Sequence, residues 1–112
     1  MFKQQEWPFI GASGKEYRFS IYPKSAGLPS GPGIFILAYT HPRGHLAGWQ
    51  VHPLTILQAE DMRHALESQV PLDHDQAVLW NSCFVLPESS ESAREVCVRD
   101  LQIHSGKALL FE

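Results

Sequence analysis

Cysteine is scarce in this chain of 112 residues, and the two present, Cys83 and Cys97, are too few for a disulfide framework. Each sits within an apolar stretch, which reads as a buried free thiol in a reducing cytoplasm. Basic charge is scarce as well: nine Lys and Arg stand against twelve Asp and Glu, for a net charge of −3. Phosphate contacts supply much of a nucleic-acid binder's affinity and call for clustered cations. Nucleic acid is therefore a disfavoured partner, and only a local basic face around Arg18 and Lys24 would restore that role. Long apolar runs are missing too. The longest, residues 34–39, has six members, where a membrane-spanning helix needs about 20. The opening residues 1–7 lack the charged-then-apolar pattern of a secretory signal. No membrane role is expected.

What is present is core-forming material. Hydrophobic residues make up 44% of the chain and charged ones 19%, and a chain of this length buries roughly two-thirds of its unfolded surface without a metal or disulfide staple. With no repeat, low-complexity tract or linker, residues 1–112 read as a single domain. After the turn signal of residues 11–14, Tyr17, Phe19 and Ile21 alternate with Arg18, Ser20 and Tyr22, the pattern of a half-buried strand. Residues 24–33 are rich in Gly and Pro and form a loop. Residues 34–39 are apolar at every position, which predicts a central strand covered on both faces. Trp49 and Val51 then alternate with Gln50 and His52, a loop leading into a third strand.

Leu54 to Leu57 continue that strand or start another after Pro53. The spacing of Ile56, Ala59, Met62, Ala65 and Leu66 predicts a helix with Glu60 and Asp61 in its first turn, ending near Gln69. Asp73-His74-Asp75 reads as a solvated turn, and residues 77–86 as a long apolar strand that makes Trp80 a core residue. Ser89, Ser90 and Ser92 offer N-caps, and Ser92 with Glu95 has capping-box spacing. They open a helix to about His104 that turns Ala93, Val96, Cys97 and Leu101 inward and stops at Gly106. The expected fold is α+β: a small, mostly antiparallel sheet of three to five strands flanked by two main helices, in the order β-β-β-α-β-α.

Several constellations bear on chemistry. His41, His45 and His52 lie close together in sequence and would be the ligands of any zinc-like metal, but the favoured reading is polar loop residues at the surface. A Cys–His nucleophile pair is rejected, because a reactive thiol needs an electropositive, partly exposed setting. Gly31-Pro32-Gly33 leads into a strand and lacks the lysine of a phosphate loop. Trp49, beside the histidine- and glycine-rich loop, is the contact candidate among the tryptophans, against a reading as edge packing on the sheet.

The element order, with Gly33-Ile34-Phe35 opening the central strand and Thr55-Ile56-Leu57 before Gln58, Glu60-Asp61 and the first helix, resembles a GIY-YIG nuclease domain. The segment from Gly11 to Tyr22 is similar to the opening of small bacterial members. The resemblance spans roughly residues 9 to 104. Active members of that family use two tyrosines, a helix arginine and a glutamate that holds a divalent metal. The matching positions here are Phe35, Thr55, Ala65 and Val98. Arg63 lies roughly 200° around the helix from Ala65, and Glu95 is the carboxylate one turn before Val98. The resemblance thus implies an inactive derivative: no catalytic residue, no cofactor, and a cytoplasmic domain that binds a protein partner or forms a homodimer. The alternatives are a metal-dependent phosphodiesterase or nuclease with altered site residues, Arg63 and Glu95 among them, or nucleic-acid binding without cleavage. A divalent metal enters only under the first of these.

Overall fold

The computed structural model describes residues 5–44 and 48–111, with side chains as far as residue 102. Its class is α+β. Four strands come first: β1 (Glu6–Ile10), β2 (Glu16–Pro23), β3 (Gly33–Pro42) and β4 (Trp49–Ala59). Two short helices follow, α1 (Met62–Ser68) and α2 (His74–Leu79), then β5 (Ser82–Pro87) and the long α3 (Glu91–Phe111). The sheet runs β1-β2-β5-β3-β4 with every neighbouring pair antiparallel.

The fully apolar β3 lies between β5 and β4, and residues 33–38 are all buried. Its alternate side chains feed two cores. Ile34, Ile36 and Ala38 join Tyr17, Phe19, Phe84, Cys97 and Leu101 on the face covered by α3. Phe35 and Leu37 join Leu28, Met62, Cys83 and Val85 on the opposite face, beneath the 24–32 loop and α1. A strand covered on both sides has no solvent face, hence no polar alternation.

The structure departs from the β-β-β-α-β-α expectation at both ends. Strand β1 is additional: Trp7 and Phe9 pack on the α3-side core while Glu6, Pro8 and Ile10 face out. With five residues and a proline it carries too short an alternation to stand out. Ile56 and Ala59 belong to β4, not to a helix; Ile56 sits opposite Ile36 in the ladder, and a three-residue spacing fits a strand turned to two cores as readily as a helix. Helix α1 starts at Met62 because the Asp61 side chain caps the backbone N–H of His64, and it ends before Gln69 as its spacing predicts.

The expected turn at Asp73 and strand from Ala77 are replaced by α2. Asp73 and Gln76 cap each other's backbone N–H groups in a capping box. Strand β5 begins only at Ser82, and Trp80 is a half-buried residue ending α2. In α3 the cap is Ser90, one of the three serine candidates, whose Oγ accepts from Ala93 N; the Ser92–Glu95 spacing is not used as a cap. Val96 is 55% exposed and not core, and the helix continues through Gly106. A glycine costs a helix only about 1 kcal/mol and ends it only where the chain turns left-handed.

Helix α3 is fastened to the β1–β2 turn by Asp100. Its carboxylate accepts from Ser13 N at 2.8 Å, Ser13 Oγ at 2.7 Å and Tyr17 Oη at 3.0 Å. Gly11 is needed there, because a Cβ would overlap that carboxylate. The Ser13 donors, with help from Tyr17 and Ala12, hold Asp100 below the usual aspartate range. Burial, and then the Asp100 carboxylate, push the Tyr17 phenol up to about 12. A carboxylate with a depressed folded-state pKa stabilises fully above the unfolded value of about 3.9 and loses that contribution as the pH falls through the lower folded value. Urea titrations of the wild type should therefore show stability falling below about pH 4, and the Asp100→Asn variant should show a flatter fall. Equal acid dependence in the two would sink this assignment.

Candidate functional site

The positions that match the nuclease family do not meet. Phe35 is 1% exposed in the core beneath α1, Thr55 lies opposite Leu37 on that same face, and Ala65 packs against that cluster. Val98 packs on the other core, under α3. The sheet separates it from the first three. Arg63 is on exposed α1, and its Nε donates to the Leu28 carbonyl at 3.1 Å, pinning the 24–32 loop. Glu95 is exposed on α3, across the sheet. Gly33, the glycine of the matching dipeptide, has a packing reason to be there. A Cβ would fall 2.7 Å from the Leu86 carbonyl oxygen and 2.8 Å from Met62 Sδ.

Phe35 is 1% exposed in a cluster with Leu28, Leu37, Met62, Cys83 and Val85. Phe35→Tyr should cost about 1–3 kcal/mol for an unpaired buried hydroxyl and bring no cleavage activity. Urea unfolding reads the first outcome and a metal-supplemented nuclease assay the second. An unchanged midpoint would mean that the ring reaches a polar group.

The basic candidates are taken up by neighbours. Arg18 lies 3.0 Å from Glu16 and 3.7 Å from Glu6, so its charge is matched locally. Lys24 Nζ lies 4.6 Å above the Trp80 ring, a cation–π contact at the far end of the same strand. The two thiols lie in different cores on opposite faces of the sheet. Burial pushes each up to about 11, so both are poor nucleophiles at neutral pH.

Trp49 lines a pocket of about 180 Å³ with Ile21, Tyr22, Thr40 and Asn81. The polar groups at its base are already engaged. Asn81 Oδ1 accepts from Thr40 N at 2.9 Å and Oγ1 at 3.2 Å, its Nδ2 donates to Thr40 O at 2.9 Å, and Ser82 Oγ donates to Ala38 O at 3.2 Å. Small-molecule sites usually run to roughly 300–1,000 Å³, and this pocket is smaller.

The convergence of polar side chains is elsewhere, at the far end of the β3–β4 hairpin. His41 Nε2 and His52 Nε2 lie 3.0 Å apart, and Tyr39 packs beside both rings at centroid distances of 5.3 and 5.7 Å. His45 lies outside the described residues. Tyr39 drew no attention in the sequence, although it shares His41's alternation; only the register shows that it stands directly opposite His52. Among the described residues no three His, Cys, Asp or Glu gather around a common point.

Comparison with protein-family models, with curated proteins and with solved structures finds no match. Function therefore has to be argued from the molecule's own surfaces. One further surface feature bears on it. Helix α2 has no buried residue, and it presents Val78 at 71% exposure and Leu79 at 47%. Trp80 follows, and with Pro23, Lys24 and Ser25 it lines an open depression of about 490 Å³. Among the described residues, no helix is long and apolar enough to cross a membrane.

Proposed function

We propose that this chain is a non-catalytic cytoplasmic binding domain on a scaffold similar to the GIY-YIG nuclease domain, working through protein contact with a partner or with a second copy of itself. The observation that carries the reading is the outward Val78–Leu79 pair next to Trp80. Helices of globular proteins are usually held by burying an apolar face. This one is held by its capping box and leaves its two largest apolar side chains in solvent. Adjacent exposed aliphatic and aromatic groups mark contact surfaces more often than they serve a fold. The non-catalytic part of the reading is supported by the side chains at the family positions, of which Phe35, Ala65 and Val98 carry no polar group. It calls for no cofactor. Matched charge at Arg18 and the cation–π contact of Lys24 argue against a phosphate-binding face.

The test compares wild type with the Val78→Asp/Leu79→Asp variant, whose exposed sites should leave stability within about 0.5 kcal/mol. Sedimentation velocity over a range of concentrations should show wild-type association, or a photo-crosslinker at position 78 should give one discrete adduct in cells. The variant should lose whichever is seen. Metal-dependent phosphodiester cleavage abolished by Arg63→Ala or Glu95→Ala would overturn the reading. So would oligonucleotide affinity that falls steeply with salt.

A further inference from the structure

The two histidines at the hairpin end are arranged as ligands are. Tyr39 and His52 stand directly opposite each other on β3 and β4, and His41 is two residues further along the same face of β3. The imidazole planes differ by 15° and the ring centroids are 5.1 Å apart, while the Nε2 atoms are only 3.0 Å apart. The rings therefore meet edge to edge with their Nε2 atoms leading.

The tautomer of His41 follows from its other nitrogen. Nδ1 lies 2.8 Å from the Pro42 carbonyl oxygen, which can only accept, so Nδ1 carries the proton. A neutral His41 then presents a bare Nε2. Ligating histidines are commonly set this way, with the second N–H held by a backbone carbonyl that fixes the ring and its tautomer. Without a metal, the group opposite that lone pair is the Nε2–H of His52. Two imidazole nitrogens bound to one tetrahedral ion, at about 2.0–2.1 Å each, lie roughly 3.3 Å apart. The present separation of 3.0 Å is close to that, and each half-buried ring would turn so that its lone pair leaves the N···N line by roughly 35° and meets the ion.

We infer that His41 and His52 form a two-nitrogen site for a divalent d-block cation of the Zn²⁺ and Cu²⁺ class. Imidazole donors favour such ions over Mg²⁺ or Ca²⁺, which take oxygen. On binding, His52 gives up its Nε2 proton to solvent and takes one at Nδ1, so its ring stays neutral and the ion replaces the hydrogen-bonded proton between the two nitrogens. No third His, Cys, Asp or Glu joins them among the described residues. The remaining positions therefore go to water or to a donor carried by another molecule, and the site is open. It shares no residue with the Val78–Leu79 surface and does not depend on that surface's role.

The experiment is a titration of the full ¹⁵N-labelled chain with ZnCl₂, followed by long-range ¹H–¹⁵N NMR of the imidazole nitrogens. Before zinc, His41 should show a bare Nε2 and a protonated Nδ1. The Nε2 signals of His41 and His52 should then move together and saturate at an equimolar amount, with His64 and His74 unmoved. His41→Ala and His52→Ala should each weaken zinc binding by at least about tenfold. The double variant should bind at least as weakly as the weaker single one, because it keeps neither donor. Tyr39→Phe should bind as wild type. Movement of only one ring, equal movement of all histidines under large zinc excess, or undiminished affinity in the double variant would each overturn the proposal. The NMR arm uses the unaltered protein, so it holds even if a variant misfolds.

Discussion

Arg94→Ala is expected to lower the unfolding free energy by about 3–5 kcal/mol, from unsatisfied buried acceptors together with a residual cavity. Arg94 is 2% exposed, on the first turn of α3. Its Nε donates to Gln58 Oε1 at 2.7 Å, and its Nη1 donates to the carbonyls of Glu88 at 3.0 Å and Ser89 at 3.1 Å. Among the described residues no carboxylate pairs with it. The charge is solvated instead by three oxygens that also join the β5–α3 connection to strand β4. Truncation leaves those oxygens without donors and a guanidinium-sized void above β4. Arg94→Lys keeps the charge but not the planar fork that reaches all three acceptors, so an intermediate loss of about 2 kcal/mol is expected. Arg99→Ala, exposed on the same helix, should stay within about 0.5 kcal/mol of wild type. Urea denaturation with an unchanged slope gives all three values. If Arg94→Ala unfolded at the wild-type midpoint, the clamp would have no energetic weight.

Phe84→Ala should be of similar size, about 3–5 kcal/mol, by a different route. Phe84 is fully buried on β5 and stands opposite Ile21 on one side and Ile36 on the other. Its ring meets Phe9 edge-on, with centroids 5.2 Å apart and planes at 90°. Phe9 in turn meets Phe19 at 5.4 Å and 82°. These contacts bring the edge strand β1 onto the main core, which its ladder with β2 alone does not do. The loss should therefore be uneven. Amide exchange should quicken most along β1, where opening already requires the least, and stability should fall throughout the sheet. Phe84→Leu, which fills most of the volume, should cost about 1–1.5 kcal/mol. Uniform exchange changes with no excess in β1 would show that Phe9 does not depend on Phe84.

What could be read in the sequence is what a residue's own element decides. The apolar stretch at 34–39 had to be covered on both faces, because no polar position gave it a solvent side. The alternation in β2 fixed which of its residues turn inward. The end of α1 near Gln69 follows from Pro71, two residues on, whereas its start does not: the spacing puts Glu60 and Asp61 inside the first turn, and Asp61 is the cap before it. Two cysteines in apolar stretches pointed to buried thiols, and both are buried. Where local signals coincide, the reading failed. Residues 77–86 are apolar but for Asn81 and Ser82, and that polar pair, read as an interruption within one strand, is where α2 gives way to β5. That boundary is set by the Asp73–Gln76 capping box and by Asn81 bonding to Ala38 and Thr40 on β3.

Which residues meet was left to the tertiary structure. Periodicity places a side chain on a face of its own strand or helix, but not beside a neighbour. That requires strand order and register. The 11-residue separation of His41 and His52 becomes a contact only through the β3–β4 register. Phe35 and Val98 fall on opposite sides of one sheet only because α1 and α3 cover different faces. Arg94 looks in sequence like any surface arginine on an amphipathic helix. It is buried because the β5–α3 connection turns its carbonyls toward that position and β4 supplies Gln58. The sequence by itself determined the class, the inward faces of β2 and β3 and the buried thiols. The packing of distant segments decided the histidine pair, the arginine clamp and the separation of the family positions, because each of these is a relation between elements and not a property of one.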